Sequence, residues 1–151
     1  MEETQPALYY EYLFAMDEHT VLVASLILFL ASLTQPAFYI DREDKGAWSN
    51  SIGLVLTGWM GALMGGGSAL AWFANPLIFL AWIFTFKYEI VPVILSVIAS
   101  ALALSFLLFD KVISSEAPVY SKITHYKAGY WFWVLSILVY TIGMVYLRCL
   151  V

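Results

Sequence analysis

Residues 51–86 read SIGLVLTGWMGALMGGGSALAWFANPLIFLAWIFTF, and none of them carries a charge. A helix of about 20 residues, rising 1.5 Å per residue, crosses a ~30 Å hydrocarbon core. The stretch is too long for one crossing. It contains a glycine triplet, Gly65-Gly66-Gly67, and an Asn75-Pro76 break. The other apolar segments look like ordinary spans, and this one is the centre they pack around.

The remainder of the composition agrees. The 151 residues are 62% hydrophobic and only 12% charged, with a mean hydropathy of +0.83. Soluble domains carry about 25% charged residues. The fold class expected is all-α, a polytopic transmembrane bundle forming a single domain over 1–151. The acidic N-terminal segment 1–19 holds Glu2, Glu3, Glu11, Asp17 and Glu18 and no Lys or Arg. It lacks the basic patch of a nucleic-acid binder and the basic start of a cleaved signal peptide. The lone cysteine, Cys149, excludes an intrachain disulfide and reads as a small apolar residue at the end of the last helix.

Taken in order, the aromatic-rich run at 6–16 suggests a short interfacial helix. The first span is expected at about 21–40, capped by Asp17 or Thr20, with Pro36 kinking or stopping it. The charged loop 41–50 reads as a solvated turn. Its Asp41, Arg42 and Asp44 are candidate partner contacts. It lacks the distal glutamate of a calcium loop.

Within 51–86, small residues recur at every fourth position: Gly53, Thr57, Gly61, Gly65 and Ala69. Small residues let helix backbones approach closely in lipid, so this series is the candidate helix-packing face. Asn75 suits an N-cap and Pro76 the first helical position. A helix starting at Pro76 would be short for a bilayer. Either the helix begins near Ser68 and bends at Pro76, or 66–75 is an irregular segment shielded by protein. Asn75 is therefore read as a cap, with contact to a ligand or partner as the sharper alternative.

Spans follow at about 90–109 and 128–147, separated by the polar loop 110–127. Ser96, Ala99, Ser100 and Ala103 form a second small-residue face, expected to pack against 51–66. Tyr130, Trp131 and Trp133 make an aromatic belt. Four spans would place five of the seven basic residues, Arg42, Lys45, Lys111, Lys122 and Lys127, on one side, which the positive-inside rule makes cytoplasmic. Five spans, at about 21–40, 51–66, 68–86, 90–109 and 128–147, account better for the length of 51–86 and are preferred.

The strings Pro36-Ala37-Phe38-Tyr39, Gly58-Trp59, Ala71-Trp72-Phe73-Ala74-Asn75-Pro76 and Gly129-Tyr130-Trp131 occur together. With them the chain resembles small uncharacterised polytopic bacterial inner-membrane proteins. The resemblance covers about residues 30–140. It implies a bundle of short helices in a bacterial inner membrane and implies no activity.

No Asp, Glu, Lys, Arg or His lies in the middle of any expected span, so the residues that proton relays and ion-coupled transporters use are missing. His19 and His125 would meet at a metal only if five spans brought their segments together. No catalytic constellation, phosphate loop, cofactor site or metal signature is present. The expected function is non-enzymatic. The protein would act through helix packing with a membrane partner, as a complex subunit, an immunity-type protein or a homo-oligomer. The alternative is an oligomeric channel or facilitator for a small solute, using the break at Asn75.

Overall fold

A computed structural model describes residues 17–41, 50–64, 66–113 and 119–150. The expected interfacial helix at 6–16, and the candidate residues Arg42, Asp44 and Gly65, lie outside them. Among the described residues are five α-helices and a small antiparallel sheet.

Helix α1 spans Glu18–Leu33. Of the two expected caps, Asp17 does the work: its carboxylate accepts the Thr20 N–H at 2.7 Å. Val21, Ser25, Phe29 and Ser32 are buried, a stripe at helical spacing that faces the bundle. The helix ends at Thr34, because the residue before Pro36 is sterically pushed out of helical geometry. Proline thus stops the helix, and the expected span at 21–40 closes short. Phe38–Ile40 is instead strand β1.

The described part of the expected polar loop 110–127 is largely strand. Lys111–Ile113 forms β2 and Tyr120–Tyr126 forms β3, in the order β1-β3-β2. β-branched and aromatic residues (Tyr120, Ile123, Thr124, Tyr126) favour the pleat. Asp41 prolongs the β1–β3 pairing: its N–H donates to the Lys122 carbonyl at 3.1 Å, and its carboxylate accepts the Lys122 N–H at 3.0 Å.

Helix α2, Ser51–Leu63, is capped by Asn50, whose side chain accepts the Ile52 N–H at 3.0 Å. A 3₁₀ segment, Gly67–Phe73, runs directly into helix α3, Ala74–Phe84. The helix therefore begins near Ser68, the first of the two expected alternatives. Asn75 is not its cap, a correction to the sequence reading. Phe73 before it is already helical and offers no capping side chain. Pro76 sits in the first α-turn, where proline is tolerated.

Helix α4 is Val91–Ser105, with Pro92 in its first turn, and continues as a 3₁₀ turn through Leu108. Helix α5, Ala128–Val145, ends in a π turn, Tyr146–Leu150, where Cys149 is exposed. Three helical runs are long and apolar enough to cross a membrane: Gly67–Phe84, Val91–Leu108 and Ala128–Cys149. At 16 and 13 residues, α1 and α2 are shorter than the spans expected there.

Helix α5 is the axis of the bundle, packed against α1 on one side and α4 on the other. Ile137, Tyr140 and Met144 are wholly buried along it. Gly143 admits Val21: a Cβ there would come within 2.6 Å of the valine methyl. The small face of α4 is buried as expected. Its neighbours are α3, α5 and the 67–73 segment rather than α2, a second correction. Interior hydroxyls pair with each other, Ser100 with Thr141 at 2.8 Å and Thr85 with Tyr140 at 2.7 Å. A dry interior leaves them no water to bond.

Candidate functional site: a cavity under helix α2

Both flanks of α2 meet the sheet end of the bundle. The Ser51 hydroxyl donates to the Gln35 carbonyl at 2.6 Å. On the other side, a Cβ on Gly66 would come within 2.8 Å of Ile113 in β2. Thirteen helical residues measure about 20 Å, and α2 packs over the 67–73 segment, the start of the Gly67–Phe84 run.

Glycines set how closely it lies. A Cβ on Gly58 would stand 2.5 Å from Trp72 Cδ1, and one on Gly61 would stand 3.1 Å from the Ala69 methyl. The Trp72 indole N–H donates to the Val55 carbonyl at 2.9 Å. The four-residue series is thus not one continuous helix face. Gly53, Thr57 and Gly61 are on α2, and Ala69 lies on the segment that folds against it. Gly53 is half-buried and accepts the Thr57 hydroxyl on its carbonyl at 2.8 Å. Gly58, the tightest approach here, falls outside that series. Its spacing of three from Gly61 puts both on one side of the helix.

Between α2, the 67–73 segment, the sheet and the start of α5 lies a cavity of about 350 Å³. Leu54, Val55, Ala71, Phe38, Phe106 and Val112 are among its apolar walls, and Thr57, Met60 and Met64 are exposed at its rim. No Asp, Glu, Lys, Arg or His lines it.

Most of its polar side chains bond to protein. The Ser32 hydroxyl donates to the Phe29 carbonyl at 2.6 Å, and the Tyr130 hydroxyl to the Ala103 carbonyl at 3.0 Å. Asn75 is buried at the inner wall. Its amide N–H donates to the Trp72 carbonyl at 3.1 Å, and its oxygen accepts the Trp133 indole N–H at 2.9 Å. Ser68 is the exception. It is 5% exposed, lines the cavity, and its hydroxyl has no hydrogen-bond partner among the described residues. Nothing in the local sequence marks it, since a serine after three glycines reads as part of a turn.

The remaining candidates lie elsewhere. Asp41 is at the sheet edge. His125 stands opposite Tyr39 in the sheet, whereas His19 stacks on Phe86 at the far end, 4.5 Å between ring centres. The two histidines do not meet, and no group of three or more metal-ligating side chains occurs among the described residues. At that far end Arg148 pairs with Glu18 at 2.6 Å and donates to the Thr85 carbonyl at 3.1 Å, tying the start of α1 to the ends of α3 and α5.

At the sheet end Tyr126 reaches toward the Phe106 and Phe109 carbonyls, each at 3.5 Å. Burial, and secondarily the charge of Asp110, push its phenol above the usual tyrosine range. Lys127 lies over the Tyr39 ring, 4.5 Å from its centre.

The chain matches no protein-family model, no curated protein and no solved structure.

Proposed function

We propose that the chain is a non-enzymatic, multi-pass membrane protein that works by binding another membrane-embedded chain at its α2 side, with a bacterial inner membrane as its setting. One observation carries this reading. Helix α2 meets the bundle through its glycine side and turns large apolar residues outward, with Leu56 67% and Leu63 78% exposed. A short helix attached in this way offers a surface that a neighbouring helix can cover by close packing.

The interior supports a binding role over a chemical one. Most of its buried polar side chains are uncharged and bonded within the protein, as in Ser100–Thr141 and Asn75–Trp133. Transport relays need ionisable groups at depth. The channel alternative draws less support, because the Asn75 amide on which it depended is engaged by Trp72 and Trp133.

Four crossings, by α1, the Gly67–Phe84 run, α4 and α5, fit this arrangement, with α2 lying at the sheet end. Lys111, Lys122 and Lys127 then share the sheet end, against Lys87 and Arg148 at the other. The positive-inside rule makes the sheet end cytoplasmic.

The test is photocrosslinking in native membranes from residues 56 and 63, with residues 83 and 104, exposed on α3 and α4, as controls. The reading expects a discrete protein adduct from 56 and 63 only, weakened when Leu56→Ala and Leu63→Ala are combined in co-purification. Lipid adducts alone from all four positions would refute it.

A further inference from the structure

We propose that the cavity beneath α2 binds a neutral single-chain amphiphile: an apolar chain bearing one uncharged oxygen, an alcohol or an ester carbonyl, held by the Ser68 hydroxyl. At about 350 Å³ the cavity falls at the small end of ligand pockets, which run ~300–1,000 Å³. Its walls call for hydrocarbon. Its polar side chains have protein partners, apart from Ser68. The Ser68 hydroxyl opens onto the cavity, and a ligand oxygen there supplies the hydrogen bond that no described residue makes.

The oxygen is neutral because the wall holds no cation. A carboxylate or phosphate would lose its hydration there and gain no counter-charge. Ser68 lies in the first turn of the Gly67–Phe84 run. The positive end of the helix dipole there favours a partly negative oxygen without requiring a full charge. The rim residues Met60 and Met64 have flexible side chains that can part for a hydrocarbon chain. The sheet end also sets the oxygen near the polar boundary of the bundle, the depth at which an amphiphile carries its oxygen. This inference does not depend on the partner reading.

The test titrates the full chain in detergent micelles with bromine-tagged decanol and follows tryptophan quenching, since Trp72 and Trp133 line the cavity. Saturable quenching is expected. Ser68→Ala, which leaves the apolar walls intact, should weaken the apparent affinity about five- to ten-fold with an unchanged helical circular-dichroism signal. Ser68→Leu, which fills the site, should abolish the saturable component. Bromine-tagged decanoate at neutral pH should quench without saturating.

Equal affinity in wild type and Ser68→Ala, non-saturable quenching by the alcohol, or tighter binding of the carboxylate would each overturn the proposal. Bilayers of phosphatidylcholine brominated beside the ester carbonyl separate the sources. Quenching there that Ser68→Leu removes assigns the site to a bilayer lipid chain. Quenching only by added alcohol assigns it to a free amphiphile.

Discussion

Trp133 on α5 donates its indole N–H to the side-chain oxygen of Asn75 on α3 at 2.9 Å, and Asn75 is 4% exposed. The pair closes the inner wall of the cavity and joins α3 to α5 by a polar bond in an apolar setting.

Removing both partners should therefore cost less than the sum of removing each alone. Asn75→Leu leaves the Trp133 N–H without an acceptor and should destabilise the fold by about 1–3 kcal/mol. Trp133→Phe has its own cost, but the double variant should be less destabilised than the sum of the two. A double-mutant cycle on unfolding in mixed micelles measures this. Strict additivity would show that the bond contributes nothing.

The approach of α2 makes a graded prediction. Gly58→Ala puts a methyl 2.5 Å from Trp72 Cδ1, whereas Gly61→Ala puts one 3.1 Å from the Ala69 methyl. Overpacking costs about 1–3 kcal/mol, so Gly58→Ala should lower thermal stability clearly more than Gly61→Ala. The reverse order of the two glycine variants would mean that α2 does not rest on Trp72.

Acid should loosen the start of α1. Side-chain and backbone hydrogen bonds with Thr20 hold the Asp17 carboxyl below the usual carboxylate range. A carboxyl with a depressed folded pKa contributes stability that is complete above its unfolded value. That contribution is lost as pH falls through the lower folded value. Protection of the first-turn amides of α1, relative to their intrinsic exchange rates, should fall as pH drops below about 4 in the wild type. In Asp17→Asn that acid limb should be flatter. Identical profiles would remove Asp17 as the cap.

Much of this fold was legible in the sequence, and the exceptions have physical causes. The helices were visible as long uncharged runs, and Pro36 and Asp17 marked where α1 stops and starts. The sheet is hidden in the sequence because charged and polar residues dominate 110–127. The strand-forming Tyr120, Ile123, Thr124 and Tyr126 are present, but the apolar positions 120, 123 and 126 fall three apart and do not alternate. Asn75-Pro76 has the composition of a cap. The 3₁₀ turn running into it from Gly67 arises from packing under α2, which no local pattern encodes. Ser68 and the Trp133–Asn75 bond are tertiary features, set by which segment folds over which.

The proposed membrane arrangement turns on α2 lying at the sheet end without crossing. The bonds between Asp41 and Lys122 place the end of β1 beside β3. An arrangement with 51–66 as a fifth span would put residues 41 and 120 on opposite membrane faces. The direct measurement is labelling by a membrane-impermeant maleimide, in a Cys149→Ser background, of Asp41→Cys, Tyr120→Cys and Tyr88→Cys. Residues 41 and 120 should label from the same face and residue 88 from the other. Labelling of 41 and 120 from opposite faces would contradict the fold described here.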